Sequence, residues 1–277
     1  MRSLMEFASA IALPNEAWQC IQAYQFSAAE KQRLHHLFYH HRESFFQYIE
    51  QRDDAGSICM ALYLDFFYER YQRMNAEDAE ILLNGAQDLT LWVKLNYHYF
   101  QVWGIIWGMW RFLDRIIDGR IVRLGCLEFE VKGIDKTIDS EEIYLLKGRS
   151  LIINIHIPEQ EHLELSNCTA SLKQAAAYFH PIPPIFYCDS WLMAPVLQKL
   201  LPADSRIVQF QKLFTILETD AENRQMEERI FDDIMDDPND YEEMTSLQRG
   251  AKAHLVNGGK LGTGIGILTK YYFEQRL

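Results

Sequence analysis

The stretch FYCDSWLM, residues 186–193, sets a phenol, a thiol, a carboxylate and a hydroxyl side by side as Tyr187, Cys188, Asp189 and Ser190, with Trp191 next to them. These are groups that attack electrophiles, carry protons or orient polar substrates. A second run, LIINIHIPE, places the imidazole of His156 near its end. Both runs have the β-branched and aromatic character of strands. Substrate crevices in α/β sheets form at the ends of neighbouring strands, which is where these groups fall. On residue type alone a packed thiol and a satisfied core histidine are just as ordinary. No G-x-S-x-G elbow is present, so Ser190 lacks the setting of a hydrolase nucleophile.

The elements that must position these residues fall into two halves. Up to about residue 118 the pattern is helical almost throughout. SAAEKQRLHHLFYHHRESFFQYIEQR opens with Ser27 and Glu30 in the spacing of a capping box, and apolar residues then recur at helical intervals. SICMALYLDFFYERYQRM and the long segment from Ala76 to Asp118 continue in the same style. Near Gly119 the texture changes. GRIVRLGCLEFEVKG, EEIYLLKG and SLIINIHIPE read as three strands at hairpin spacing. ELSNCTASLKQAAAYFH reads as a helix capped by Ser166. PIFYCDSWLM reads as a strand, APVLQKLLP as a short helix and SRIVQFQKLFTILETD as another strand. The chain is therefore expected to be an all-helical N-terminal domain, 1–118, followed by a mixed α/β domain, 119–277.

Three further patterns could carry chemistry. Residues 257–268, NGGKLGTGIGIL, put glycines beside Lys260. A phosphate cradle needs a strand before its glycines and a helix after them. Here the order is reversed: TSLQRGAKAHLVN is a helix with a Thr245/Gln248 capping box, and a strand-like run follows. The glycines are expected to end a helix at Gly258 and then to let backbone approach a neighbour closely. His36 and His40 share a helix face, but no Glu-x-x-His partner accompanies them and no metal site is expected. DDIMDDPNDYEE, residues 232–243, lacks the ligand order of a calcium loop and reads as a solvated acidic loop.

Composition bounds the partners. The 277 residues are 48% hydrophobic and 13% aromatic, enough for packed cores, and the net charge is −12. Neither half carries the basic excess that nucleic-acid binding needs. The five cysteines are scattered without a C-x-x-C pair, as suits reduced thiols in a cytoplasmic protein. The N-terminus, with Glu6 and Glu16 flanking its apolar run, is poor as a signal peptide. LNYHYFQVWGIIWGMW, residues 95–110, falls short of the roughly 20 apolar residues that span a bilayer and reads as part of a buried helix, Leu89 to Trp110. That helix is expected to pack on the α/β domain and wall a substrate pocket.

Beyond these patterns, LIINIHIPE, LSNCTASLKQAAAYF and FYCDSWLMAPVLQKLLPADSRIVQFQKLF together resemble a bacterial family of acyltransferase-domain proteins, in which a helical domain precedes a GNAT-like domain. The resemblance covers roughly residues 119–268 and takes in the late glycines; over the helical half it rests on position and composition. It implies acyl transfer from acyl-CoA or acetyl-CoA to an amine acceptor that attacks the thioester directly, with no metal. It makes Leu151–Pro158 the central strand, whose backbone N–H polarises the thioester carbonyl. EQEHLELSN becomes the pyrophosphate loop, with Ile157, Glu159, Leu165, Ser166 and Asn167 against the coenzyme. By position His156 or Glu218 is the general base, Tyr187 the acid, Ser190 a substrate-orienting group, and Cys188 a nucleophile or a packed thiol.

The loop departs from the GNAT signature. It has no glycine, and it carries Glu159, Glu161 and Glu164 where like charge opposes a pyrophosphate. The alternative is a non-catalytic binding or regulatory protein that retains the fold.

Overall fold

The computed structural model describes residues 3–24, 26–134, 150–159, 161–182 and 185–268. The chain divides into two compact units, Met1–Arg123 and Leu124–Leu277. The strand read from EEIYLLKG lies outside the described residues.

The first unit is helical: α1 (Leu4–Ala10), α2 (Asn15–Ala23), α3 (Ala28–His40), α4 (Arg42–Glu50), α5 (Ala55–Gln72), α6 (Ala76–Gly85), α7 (Gln87–Phe100) and α8 (Trp110–Ile117). Ser27 caps α3 by accepting a hydrogen bond from the Glu30 N–H at 3.1 Å. The core gathers on α5, where Ile58 to Leu64, Phe66 and Phe67 are all buried. Phe38, Phe45, Tyr63 and Phe66 interlock there in edge-on and stacked contacts. Arg42 ties the α3–α4 corner to α8 by donating to Asp114 at 2.6 Å and Asp118 at 3.1 Å.

The helix expected from Leu89 to Trp110 is not continuous. α7 stops at Phe100 because Gln101 turns left-handed, with φ +56°. The following residues dock on the start of α5, where the Ile105 N–H donates to the Gly56 carbonyl at 3.0 Å. A Cβ on Gly104 would come within 2.8 Å of the Gly56 carbonyl carbon, so the approach depends on the glycine. Phe100, Val102 and Trp107 are exposed, not buried. An apolar run without helical periodicity carried no information about where the helix ended. Among the described residues no helix is long and apolar enough to cross a membrane.

A short strand, β1 (Ile121–Leu124), leads into the second unit. The second unit holds β2 (Leu127–Ile134), β3 (Ser150–His156), α9 (Leu165–Tyr178), β4 (Phe186–Ser190), α10 (Leu197–Leu200) and α11 (Arg206–Gln211). These are followed by β5 (Thr215–Asp220), α12 (Gln225–Phe231), α13 (Ser246–Val256) and β6 (Thr263–Leu268). Within this unit the strands run in the order β2-β3-β4-β6-β5. β6 is antiparallel to both neighbours, whereas β3 and β4 are parallel and joined through α9.

Two sequence expectations change here. The segment 205–220 is not one strand. Ser205 caps α11 by accepting from the Val208 N–H, and only Thr215 onward enters the sheet. Gln211 explains why: it is buried, and its side-chain amide donates to the Leu192 and Ala194 carbonyls at 3.0 and 2.9 Å, which needs the helical approach. Ser166 is not the cap of α9, because the helix begins at Leu165 after Glu164. In the acidic segment, Tyr241 is buried and donates to Glu227 at 2.6 Å, which anchors an otherwise mostly exposed loop.

The glycine stretch behaves as its order suggested. α13 has both halves of its capping box, Thr245 Oγ1 accepting from the Gln248 N–H and Gln248 Oε1 from the Thr245 N–H. Gly258 lies just past its end with φ +78°. On β6, a Cβ at Gly264 would meet the Met193 carbonyl oxygen at 2.4 Å, so Trp191–Met193 lies directly on the strand. Gly264→Ala is expected to lower stability by roughly 1–3 kcal/mol through overpacking. Urea unfolding with an unchanged midpoint would contradict that packing.

Candidate active site

The site begins with the way β3 and β4 part. Among the described residues they pair at Ile153 with Phe186 and at Asn154 with Tyr187, where the Ile153 N–H donates to the Ile185 carbonyl at 2.8 Å. β3 nevertheless runs on to His156 and β4 to Ser190. Their C-terminal ends therefore leave the shared ladder and bound a notch. His156 stands at one lip and Cys188 to Ser190 at the other.

One face of the sheet beside this notch is polar although buried. In the β2–β3 register Glu128 opposes His156 and Glu130 opposes Asn154. Residues two apart on a strand share a face, so all four side chains gather there. Glu128, Glu130 and Asn154 are 1%, 7% and 5% exposed, and the His156 side chain retains 20%. His156 Nε2 lies 3.0 Å from Glu130 Oε2 and 3.0 Å from the Asn154 side-chain amide. Lys132 Nζ approaches the same Glu130 carboxylate at 3.4 Å.

Tyr187 is level with Asn154 and therefore on this face too. Burial first, then the negative charges of Asp189 and Glu218, push its phenol from the ordinary 10 up to about 12. It stays protonated at neutral pH and can donate. Asp189 and Glu218 both register with Ile265, the second by way of a bulge after Ile216. Glu218 is exposed and lies three strands from His156, a separation of roughly 14 Å at ordinary strand spacing. The two residues read as alternative bases are thus not brought together.

Cys188 faces the opposite side of the sheet. It is fully buried, and burial, reinforced by Asp189, raises its thiol to about 12. Ser190 caps the turn that follows, accepting from the Leu192 N–H at 3.2 Å. The Trp191 backbone N–H donates to Gln225, and the residue packs against the buried cluster that includes Ala194, Leu197 and Met226.

Past the notch, Ile157 leads into a turn closed by the Glu161 N–H donating to the Pro158 carbonyl at 3.2 Å. Leu163 is left-handed at φ +50° and buried, which delivers the chain to α9. Leu165, Ser166 and Asn167 are exposed at the start of that helix. Two of the loop glutamates are matched by arginines: Glu159 with Arg229 at 3.3 Å and Glu164 with Arg206 at 2.8 Å. The local negative charge that the sequence reading emphasised is largely offset.

Sequence reasoning missed Glu128, Glu130 and Asn154. In LEFEVKG the acids simply alternate with apolar residues; the one signal was that their spacing repeats in N-x-H. It missed Arg206 and Arg229 as well, which come from distant helices and leave no local signature. The helical unit has a separate polar cleft of about 460 Å³ lined by Arg42, Glu43, Arg111, Asp114 and Arg120, among others. Its guanidinium groups are held by those acids. No group of three or more metal-ligating side chains occurs among the described residues.

The parted parallel pair, the crossing helix and the sheet define a GNAT-like domain. Residues 121–268 match the GNAT-like C-terminal domain family, and the chain belongs to that family. No curated protein matches the sequence. Among solved structures, an acyltransferase in complex with CoA and 10C-teicoplanin superimposes with a TM-score of 0.74 at 17% identity, over 97% of this chain and 88% of that one. A mutant acyltransferase in complex with octanoyl-CoA gives 0.73 at 17% identity, over 96% and 87%. An acyltransferase in complex with decanoyl-CoA gives 0.70 at 16% identity, over 96% and 86%. The similarity extends across the helical unit and establishes the fold.

The raised Tyr187 proton affinity has a consequence for stability. Folded chains hold that proton more tightly than unfolded ones, so the contribution is complete below pH 10 and is lost as pH rises toward 12. Tyr187→Phe is expected to flatten part of the alkaline fall in urea midpoint over that window. An unchanged slope would contradict the burial and charge assigned to the phenol.

Proposed function

We propose that the protein is an acyl-CoA-dependent N-acyltransferase that binds the thioester in the β3–β4 notch. The observation that carries this reading is the parting of the two parallel strands after Asn154 and Tyr187, with His156 at the lip. Family membership supports it, as do the CoA and acyl-CoA complexes of the structural neighbours.

In this reading the acyl carbonyl lies against the end of β3, where the Ile157 N–H polarises it. In the tautomer with the proton on Nε2 toward Glu130, Nδ1 keeps the lone pair that takes a proton from the attacking amine. Glu130 positions the ring by accepting from Nε2. The amine nitrogen forms a bond to the carbonyl carbon, and the collapse of the tetrahedral adduct expels the CoA thiolate. Tyr187, protonated at neutral pH, donates to that thiolate. Cys188 packs and takes no part; Glu218 is too far from His156 to serve the same atom. Ser190 orients the chain of the turn more than a substrate.

The coenzyme pyrophosphate sits at the start of α9, beside Ser166 and Asn167. There it meets positive helix-end charge and the Arg206 guanidinium. The Glu164–Arg206 pair is exposed on both sides, so its loss costs little when a phosphate takes the arginine. Decanoyl-CoA and teicoplanin complexes among the neighbours favour a medium-chain donor and a larger acceptor.

Calorimetric titration with acetyl-, octanoyl- and decanoyl-CoA, with free CoA as reference, tests the reading. Saturable binding is expected, weakened by Arg206→Gln and strengthened by Glu164→Gln. His156→Ala is expected to leave binding intact while lowering acyl transfer about 10²–10⁴-fold, the usual worth of a general base. No heat with any acyl-CoA would favour the alternative of a binding protein that keeps the fold, whose support is the glycine-free loop.

A further inference from the structure

The thiols of Cys126 and Cys168 face each other across 3.9 Å. Cys126 lies in the turn between β1 and β2 and is half-buried; Cys168 lies in the first turn of α9 and is fully buried. The turn is fastened to that helix. The Cys126 N–H donates to Ser171 Oγ at 2.9 Å, and Ser171 in turn donates to the Asn167 carbonyl at 2.9 Å. Gly125 is left-handed at φ +68°, and a Cβ there would fall 2.4 Å from the same Ser171 oxygen. The backbone on both sides of the pair is therefore fixed with the two sulfurs opposed.

We infer that Cys126 and Cys168 form a dithiol site that closes reversibly to a disulfide by exchange with a low-molecular-weight disulfide. A disulfide bond is about 2.05 Å long, so the sulfurs must approach by roughly 2 Å for the bond to form. Cys126 is the accessible member. The Cys168 hydrogen bond brings its thiol down to about 7, Ser171 adding to the effect while burial and Glu161 oppose it. The same contact, with burial, holds the Cys168 proton in place. Cys126 is thus the attacking sulfur.

The exchange balances in two steps. The Cys126 thiolate attacks one sulfur of R–S–S–R, forming a mixed disulfide and releasing RS⁻. Cys168 then loses its proton, its sulfur bonds to Cys126 Sγ, and a second RS⁻ leaves. Two protein thiols are oxidised and one small disulfide is reduced to two thiols. The product staples the β1–β2 turn to the N-terminal turn of α9. None of this depends on the acyltransferase reading.

The test treats the full-length protein, carrying Cys20→Ser to remove an exposed thiol, with oxidised glutathione, followed by intact mass and peptide mapping. The expected result is loss of two titratable thiols with no added mass and a Cys126–Cys168 linked peptide that dithiothreitol reverses. Adding Cys168→Ser should stop the reaction at a glutathione adduct on Cys126, and adding Cys126→Ser should leave Cys168 unmodified. A native protein that keeps both thiols, while its urea-unfolded form reacts, would overturn the inference. So would a stable Cys126 adduct with Cys168 still present.

Discussion

The structure of the second unit turns on one constraint: β3 and β4 are parallel, yet their pairing stops after Asn154 and Tyr187. A parallel pair needs a crossover, and α9 supplies it, bringing a helix N-terminus to the same end of the sheet as the parting strands. β3 still pairs with β2 along its other edge, and β4 with β6. The sheet is held on both sides while its middle opens. Backbone N–H and C=O groups that face one another past Asn154 and Tyr187 stand outside the β3–β4 ladder, and such groups require a partner from water or ligand.

Beside the notch, Glu128, Glu130 and Asn154 are buried on one face with His156 partly open. Burying carboxylates is costly unless they are paired and hydrogen-bonded. Packing alone would favour apolar residues at these positions, as it does on the opposite face, where Phe129, Ile153, Phe186 and Cys188 are buried. Retaining acids next to an imidazole is the arrangement expected of a group that has to hold a proton at a defined atom. The late glycines belong to the same economy of space. Gly264 and Gly266 let Met193 lie against β6, which fixes the turn after β4 and with it one lip of the notch.

Much of this was legible in the sequence. Strand-like runs marked β2 and β3, capping residues marked α3 and α13, and the order of helix, glycines and strand marked residues 257–268 as a helix stop followed by a strand. His156 and Ser190 fell at strand ends, as read. Three things were not legible. The end of α7 depends on a left-handed Gln101 and on the Gly56–Gly104 approach, neither of which alters hydropathy. The helical state of Arg206–Gln211 depends on the buried partners of Gln211, which are contacts distant in sequence. The third is charge compensation in the loop after β3. Glu159 and Glu164 look hostile to a phosphate when read along the chain, and only folding brings Arg229 and Arg206 to them.

Amide hydrogen exchange with and without decanoyl-CoA tests the central claim most directly, because it reads the notch itself. The account predicts slower exchange confined to residues 154–159, 165–168 and 187–190, at the parted strand ends and the first turn of α9. Protection elsewhere with none at these segments would contradict it.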